Sequence, residues 1–211
     1  MNFAAVIFDL DGTVLDNEDE YGVSFKKVLQ RLGAKGVPEM PQVGGIGVKE
    51  NWPILLERYK VKTEKSIEEL AQETQQEYLK RLDKVTLKDG FEDFTSFLRQ
   101  NGLKTALATS NGRRVVDEVF EKLKLNSHFD VVTTGEEVDY KKPDPDLFLL
   151  TAEKLGIEPS NCLVIEDAAA GIEAAKRAGM KIYAIARDSE HARQLKDADK
   201  IVLGYTELLE K

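Results

Sequence analysis

Four short segments carry residues whose types and spacing could do chemistry, and each also has a plainer explanation. In Phe8-Asp9-Leu10-Asp11-Gly12-Thr13, two carboxylates follow an apolar run and precede a glycine that permits a sharp turn. Asp and Gly are also ordinary turn residues, so a solvated loop explains the pair equally well. In Ala108-Thr109-Ser110-Asn111-Gly112, a hydroxyl and neighbouring backbone amides could bind phosphate oxygens, or could simply cap a turn. In Tyr140-Lys141-Lys142-Pro143-Asp144-Pro145, the prolines restrain the chain around Lys142 and make it a better-placed point charge than a lysine on a helix surface. A solvated charge run is the alternative there. In Val164-Ile165-Glu166-Asp167, two acids stand between an apolar strand and Ala168-Ala169-Ala170-Gly171, where capping that helix would account for them.

Their joint placement says more than any one of them. In open α/β sheets, ligands bind beyond the carboxyl ends of the strands, and all four segments fall at or near such ends. Two carboxylate clusters supply hard oxygen ligands suited to Mg²⁺, and a hydroxyl and a lysine supply donors for phosphate. Phosphoryl transfer needs that equipment, because most of its catalysis is positioning and charge neutralisation.

The elements that must position these residues are legible from hydrophobic periodicity. Apolar runs at 4–8, 104–108, 129–133, 162–165 and 181–186, with a weaker one at 201–203, predict strands buried on both faces. Amphipathic helical patterns lie between them: Phe91, Phe94 and Leu98 share one face, as do Val116, Val119, Phe120 and Leu123. Asp144-Pro145 reads as an N-cap followed by proline at the first position of a helix that ends near Gly156. The alternation predicts a Rossmann-like, doubly wound parallel sheet. Residues 16–83 break it. There Tyr21, Phe25, Val28, Leu29 and Leu32, then Trp52, Leu55, Leu56 and Tyr59, then Ile67, Leu70, Ala71 and Thr74 recur at helical spacing. The division expected is a core of 1–15 and 84–211 with an inserted helical cap of 16–83. Trp52 and Tyr59 read as helix core rather than a ligand box.

Composition narrows the class further. A formal net charge of −8 argues against nucleic acid as a partner. No apolar run approaches the roughly 20 residues that span a bilayer, and the N-terminus lacks a signal-peptide pattern, so a cytoplasmic protein with no membrane partner is expected. The single cysteine, Cys162, excludes an internal disulfide and reads as a small buried residue entering a strand. His128 and His191 read as surface or loop residues, which argues against a histidine-based site.

In their order and spacing these segments resemble the four motifs of the haloacid dehalogenase superfamily of phosphotransferases, over nearly the whole chain. Within it they resemble the branch of β-phosphoglucomutase and phosphoglycolate phosphatase, whose helical cap follows the first motif. The resemblance implies a Mg²⁺-dependent phosphatase acting on a small phosphorylated metabolite through an aspartyl-phosphate. It implies Asp9 as nucleophile, Asp11 as general acid–base, and Thr109, Ser110, Asn111 and Lys142 as phosphate-binding residues, Thr109 and Lys142 counting among the catalytic groups. It implies metal ligation by Asp9, the Asp11 carbonyl, Asp167 and Glu166, with Thr13 steadying Asp11. The cap would hinge near residues 14–17 and 84–89. Dehalogenases lack the second acid, so Asp11 favours phosphoryl transfer, and Lys49 reads as a solvated lysine rather than a Schiff-base group. A sugar phosphomutase is the alternative, but Tyr21 stands where those enzymes carry a histidine, and Val48 (or Lys49 after a one-residue slip) where they carry an arginine. A more distant alternative is a phospho-accepting receiver-like module, which would need no cap. Monomer is the default state.

Overall fold

The computed structural model describes residues 3–209. Its elements run β1 (Ala5–Phe8), β2 (Leu15–Asp16), α1 (Glu18–Arg31), α2 (Val48–Arg58), α3 (Ile67–Leu79), β3 (Thr86–Leu87), α4 (Phe91–Gln100) and β4 (Lys104–Thr109). They continue with α5 (Arg113–Leu123), β5 (Val131–Thr134), α6 (Asp146–Leu155), β6 (Cys162–Glu166), α7 (Ala169–Arg177), β7 (Lys181–Ile185), α8 (Ser189–Gln194), β8 (Lys200–Val202) and α9 (Thr206–Leu209). Six strands form one parallel sheet in the order β5-β4-β1-β6-β7-β8. Successive side chains of β1 serve opposite faces, as the pleat requires. Val6 and Phe8 join one core with Phe91, Phe94 and Val116, while Ala5 and Ile7 join another with Leu147, Phe148 and Ile172. Helices therefore cover both faces, and the doubly wound α/β class expected from the sequence is the one observed. The chain builds outward from β1 to β4 and β5, then returns to add β6, β7 and β8 on the other side. That reversal opens a crevice at the carboxyl end of β1.

α1, α2 and α3 stand outside this sheet and pack on one another through Phe25, Trp52 and Leu70. Trp52 is fully buried and donates from Nε1 to Thr74 Oγ1 at 3.1 Å, which satisfies its one polar atom inside the core. α3 starts where Ser66-x-x-Glu69 forms a capping box: Ser66 Oγ accepts from Glu69 N, and Glu69 Oε2 accepts from Ser66 N at 2.7 Å. The segments entering and leaving this helical unit are tied to each other by the antiparallel pair β2–β3, Leu15 against Leu87 and Asp16 against Thr86.

Three expectations need correction. The strand expected at 129–133 starts at Val131, because Phe129 turns its ring into Phe8 and Phe91, each centroid 6.0 Å away. The helix expected to open at Asp144-Pro145 starts at Asp146, because Asp144 N closes a turn onto Lys141 O at 2.9 Å and Pro145 takes the N-cap position. His191 is neither in a loop nor on the surface: it lies in α8 at 8% exposure, its Nδ1 accepting from Arg187 N at 3.2 Å. Cys162 is buried at the start of β6 as expected, and burial pushes its thiol up to about 11. Among the described residues, no helix is long and apolar enough to cross a membrane.

Glu77 on α3 collects the helical unit's main ion-pair network, with Arg31 and Lys80 at 2.7 Å and Lys27 at 3.4 Å. Hydrogen bonds from Arg31 and Lys80 outweigh burial and hold its carboxyl down at about 2. A depressed carboxylate stabilises the fold above its unfolded value and loses that contribution as pH falls toward its folded one. With the exposed ends of its partners screened by water, Glu77→Gln is expected to cost about 1–2 kcal/mol at pH 7. Urea denaturation should show that gap at pH 7 and a clearly smaller one at pH 3.

Candidate active site

The parallel register brings the chemistry-bearing residues level. Phe8 pairs with Leu107 of β4 on one side and Ile165 of β6 on the other. Asp9 therefore emerges between Ala108-Thr109 and Glu166, its N–H donating to Ile165 O at 3.0 Å. The loop after β5 delivers Lys142 into the same place. Its buried ammonium donates to Asp9 Oδ1, to Glu166 Oε1 at 2.8 Å and to Ala108 O at 3.3 Å, and it lies 4.9 Å from the centre of the Phe148 ring. Burial alone would lower the Lys142 pKa, but the Asp9 and Glu166 carboxylates outweigh it and hold the ammonium above its ordinary value. Burial pushes the Asp9 carboxyl up, opposed by Lys142 and assisted by Glu166 and Asp11.

The fourth segment is locked by its own backbone. Glu166 Oε2 accepts from the N–H groups of Asp167 and Ala168, both at 2.8 Å. Asp167 Oδ1 accepts from Thr13 Oγ1 at 3.3 Å, so Thr13 steadies Asp167, where Asp11 had been expected. Asp9, Glu166 and Asp167 each present an oxygen within 4.8 Å of the others, all buried. Three carboxylates against one ammonium leave excess negative charge out of water, and hard oxygen donors in that state fit a divalent cation. Asp11 does not join this group through its side chain.

Asp11 instead sits between two carboxamides. Asn17 Nδ2 donates to its Oδ1 and Asn111 Nδ2 to its Oδ2, each at 2.6 Å. Both amides are held from the helical unit. Tyr21 OH donates to Asn111 Oδ1 at 3.0 Å, and Asn17 Nδ2 also reaches Tyr78 OH at 2.7 Å. The two phenol rings stack with centroids 3.9 Å apart. Burial first, and the nearby Asp11 charge second, raise both phenols well above their usual pKa, so both remain protonated, Tyr21 donating to Asn111 and Tyr78 accepting from Asn17. Asn17, Tyr21 and Tyr78 carry this arrangement without having been singled out as site residues. An asparagine directly before a helical pattern reads as its N-cap, yet Asn17 makes no side-chain cap bond and is engaged at Asp11.

The second segment completes the cleft. Thr109 Oγ1 accepts from Asn111 N at 3.2 Å, and Ser110 Oγ is buried with no hydrogen-bond partner among the described residues. Both line a small cavity of about 60 Å³, partly open to solvent, with Asp9, Asp11, Asn111 and Asp167 on the core side. Every residue expected at the site except Thr13, Glu166 and Lys142 lines this cavity, and Glu166 and Lys142 stand directly behind Asp9. The arrangement offers a buried carboxylate beside a fixed cation, a second carboxylate on neutral donors, and a cleft lined also by Thr109 and Ser110.

Residues 6–185 match the haloacid dehalogenase-like hydrolase family. The chain is 33% identical over 203 residues to a phosphorylated carbohydrates phosphatase from Thermotoga maritima, covering 94% of this chain and 93% of that one. It is 33% identical over 180 residues to a phosphoglycolate phosphatase from Aquifex aeolicus, covering 83% and 81%. The solved structure of a β-phosphoglucomutase from Clostridium difficile superposes with a TM-score of 0.86 at 26% identity, covering 98% and 93%.

The site's rigidity can be tested at Gly171 on α7. A Cβ there would lie 1.7 Å from Glu166 Oε1 and 2.7 Å from its Cγ, and Glu166 cannot swing away without releasing Lys142 and two backbone N–H groups. Gly171→Ala is expected to cost about 1–3 kcal/mol and to weaken divalent-cation binding. Thermal melts with and without Mg²⁺ should show a lower midpoint and a smaller metal-dependent rise than wild type.

Proposed function

The chain belongs to the haloacid dehalogenase-like hydrolase family, and from that premise we propose that it is a Mg²⁺-dependent phosphatase that hydrolyses a small phosphorylated metabolite through an aspartyl-phosphate on Asp9. The observation that carries this reading is the buried Lys142 ammonium shared by Glu166 and by Asp9, which itself lines the cleft. A structural ion pair would not need a second carboxylate held by two carboxamides in the adjoining cleft.

Asp9, Asp167 and Glu166, with the Asp11 carbonyl, would hold the Mg²⁺, which when bound neutralises phosphoryl oxygens and favours the ionised form of Asp9. Lys142, Thr109, Ser110 and the Asn111 amide group hold the remaining oxygens. Asp9 attacks phosphorus in line while Asp11 gives a proton to the departing alcohol oxygen. Asp11, now ionised, takes a proton from the water that cleaves the acyl phosphate, which returns both carboxyls to their starting states. The Asn17 and Asn111 amides fix Asp11 beside Asp9 and away from the carboxylate cluster. Residues 16–83 act as a cap that excludes bulk water and hinges where β2 and β3 meet.

Hydrolysis is favoured over phosphoryl movement within a sugar. The Tyr21 hydroxyl is a buried, protonated donor engaged at Asn111, and Val48 brings no charge to the cleft. Lys49 pairs with Glu68, so the one-residue slip does not supply a cation either.

Asp9→Asn is expected to retain the fold and lose turnover of para-nitrophenyl phosphate, since an amide is a very poor nucleophile. Asp11→Asn should lose about 10²–10⁴ in rate with the proton-transfer contribution. Chelation should stop phosphate release and Mg²⁺ restore it, whereas Ca²⁺ should bind and support little turnover, because its looser coordination misplaces Asp9. Substantial activity in Asp9→Asn, or full activity in excess chelator, would refute the corresponding assignment.

A further inference from the structure

The cavity has two electrostatically different halves. Opposite the carboxylates, its wall is made by Phe25, Gln42, Val43, Ile46, Val48 and Asn51. Four of these are apolar. Asn51 of α2 is engaged with the loop that precedes its helix, accepting from Val43 N at 2.7 Å and donating to the carbonyls of Val43 at 3.1 Å and Gly47 at 3.2 Å. Gln42 adds a carboxamide, and the loop backbone adds peptide groups.

No Lys, Arg or His lines the cavity among the described residues. The cations that neighbour it in the chain are engaged elsewhere. Lys49 pairs with Glu68, and Lys141 reaches across to Glu50 of α2 at 3.0 Å. Lys142 lies behind Asp9. Arg113 pairs with Glu137 at 3.4 Å, and with Arg114 it lines a separate groove beside Asp117 and Glu118.

Resting on the phosphatase reading above, we infer that the phosphate is the substrate's one anionic group and that the leaving group is a small uncharged alcohol of the polyol or short-sugar class. A second phosphate or a carboxylate would be taken out of water next to Asp11 with no cation to meet it, which is costly for any buried charge. An uncharged polyol loses little there. Its C–H face packs against Phe25, Val43, Ile46 and Val48, and its hydroxyls meet Gln42 and peptide groups. The same wall explains discrimination by exclusion: nothing in it attracts an anion.

The test uses wild-type enzyme in excess Mg²⁺ and two pairs of substrates matched in carbon skeleton. One pair is sn-glycerol 3-phosphate and 3-phosphoglycerate; the other is 2-hydroxyethyl phosphate and 2-phosphoglycolate. In each, a carboxylate replaces a CH₂OH. The uncharged member is expected to have the higher kcat/KM by at least about tenfold. Equal or higher kcat/KM for the carboxylate members would overturn this inference and leave the phosphatase reading intact. No phosphate release from any of the four, nor from para-nitrophenyl phosphate, would overturn both.

Discussion

The ammonium of Lys142 is the constraint on which the rest of the site depends. A charge that deep is tolerated only with partners of opposite sign, and it takes them from two adjacent strands, Asp9 after β1 and Glu166 at the end of β6. It also reaches the Ala108 carbonyl of β4. One side chain thus ties three strand ends together, and deleting one partner of such a buried pair typically costs about 3–5 kcal/mol. Glu166 is held against the ammonium by two backbone N–H groups, and the absence of a side chain at Gly171 leaves room for it. Charge balance then sets the next requirement. One ammonium cannot neutralise Asp9, Glu166 and Asp167 together, so the cluster favours a divalent cation, and Asp9 meets it as a carboxylate.

Asp11 is governed by a different set of contacts, and they connect it to the helical unit. Its two carboxamide partners have an intrinsic place in the chain on either side of the cleft: Asn17 at the start of α1 and Asn111 after β4. Both are oriented by phenols from α1 and α3 that stack on each other. The position of the Asp11 carboxyl is therefore tied to how the helical unit sits on the core. Its rim contacts act in the same direction, with Lys141 paired to Glu50 and the Gly45 backbone so close to Ala168 that a Cβ would lie 2.5 Å from that methyl. The helical unit is thereby connected to Asp11 through neutral hydrogen bonds.

Much of this was legible in the sequence, for a physical reason. Strands buried on both faces show as continuous apolar runs, and residues at their carboxyl ends must converge once the sheet is parallel, so Asp9, Thr109, Lys142 and Glu166-Asp167 could be grouped before any coordinates. What escaped depends on contacts that local pattern does not encode. Tyr21 lies at helical spacing among core residues and is indeed buried, but its hydroxyl meets an amide 90 positions away. Tyr78 reaches Asn17 across 61 positions. β2 and β3 are two residues each, too short to show alternation, and exist because they pair with one another. Asp144 has the chemistry of an N-cap but is drawn into a turn with Lys141, and this moves the helix start to Asp146.

The central claim is that Asp9 becomes covalently phosphorylated during turnover. It is tested most directly by quenching the working enzyme in acid under saturating substrate, reducing acyl phosphates with borohydride and sequencing the peptides by mass spectrometry. The account predicts homoserine at position 9, dependent on both substrate and Mg²⁺. Turnover with Asp9 unmodified throughout, or with the reduced residue elsewhere in the chain, would contradict it.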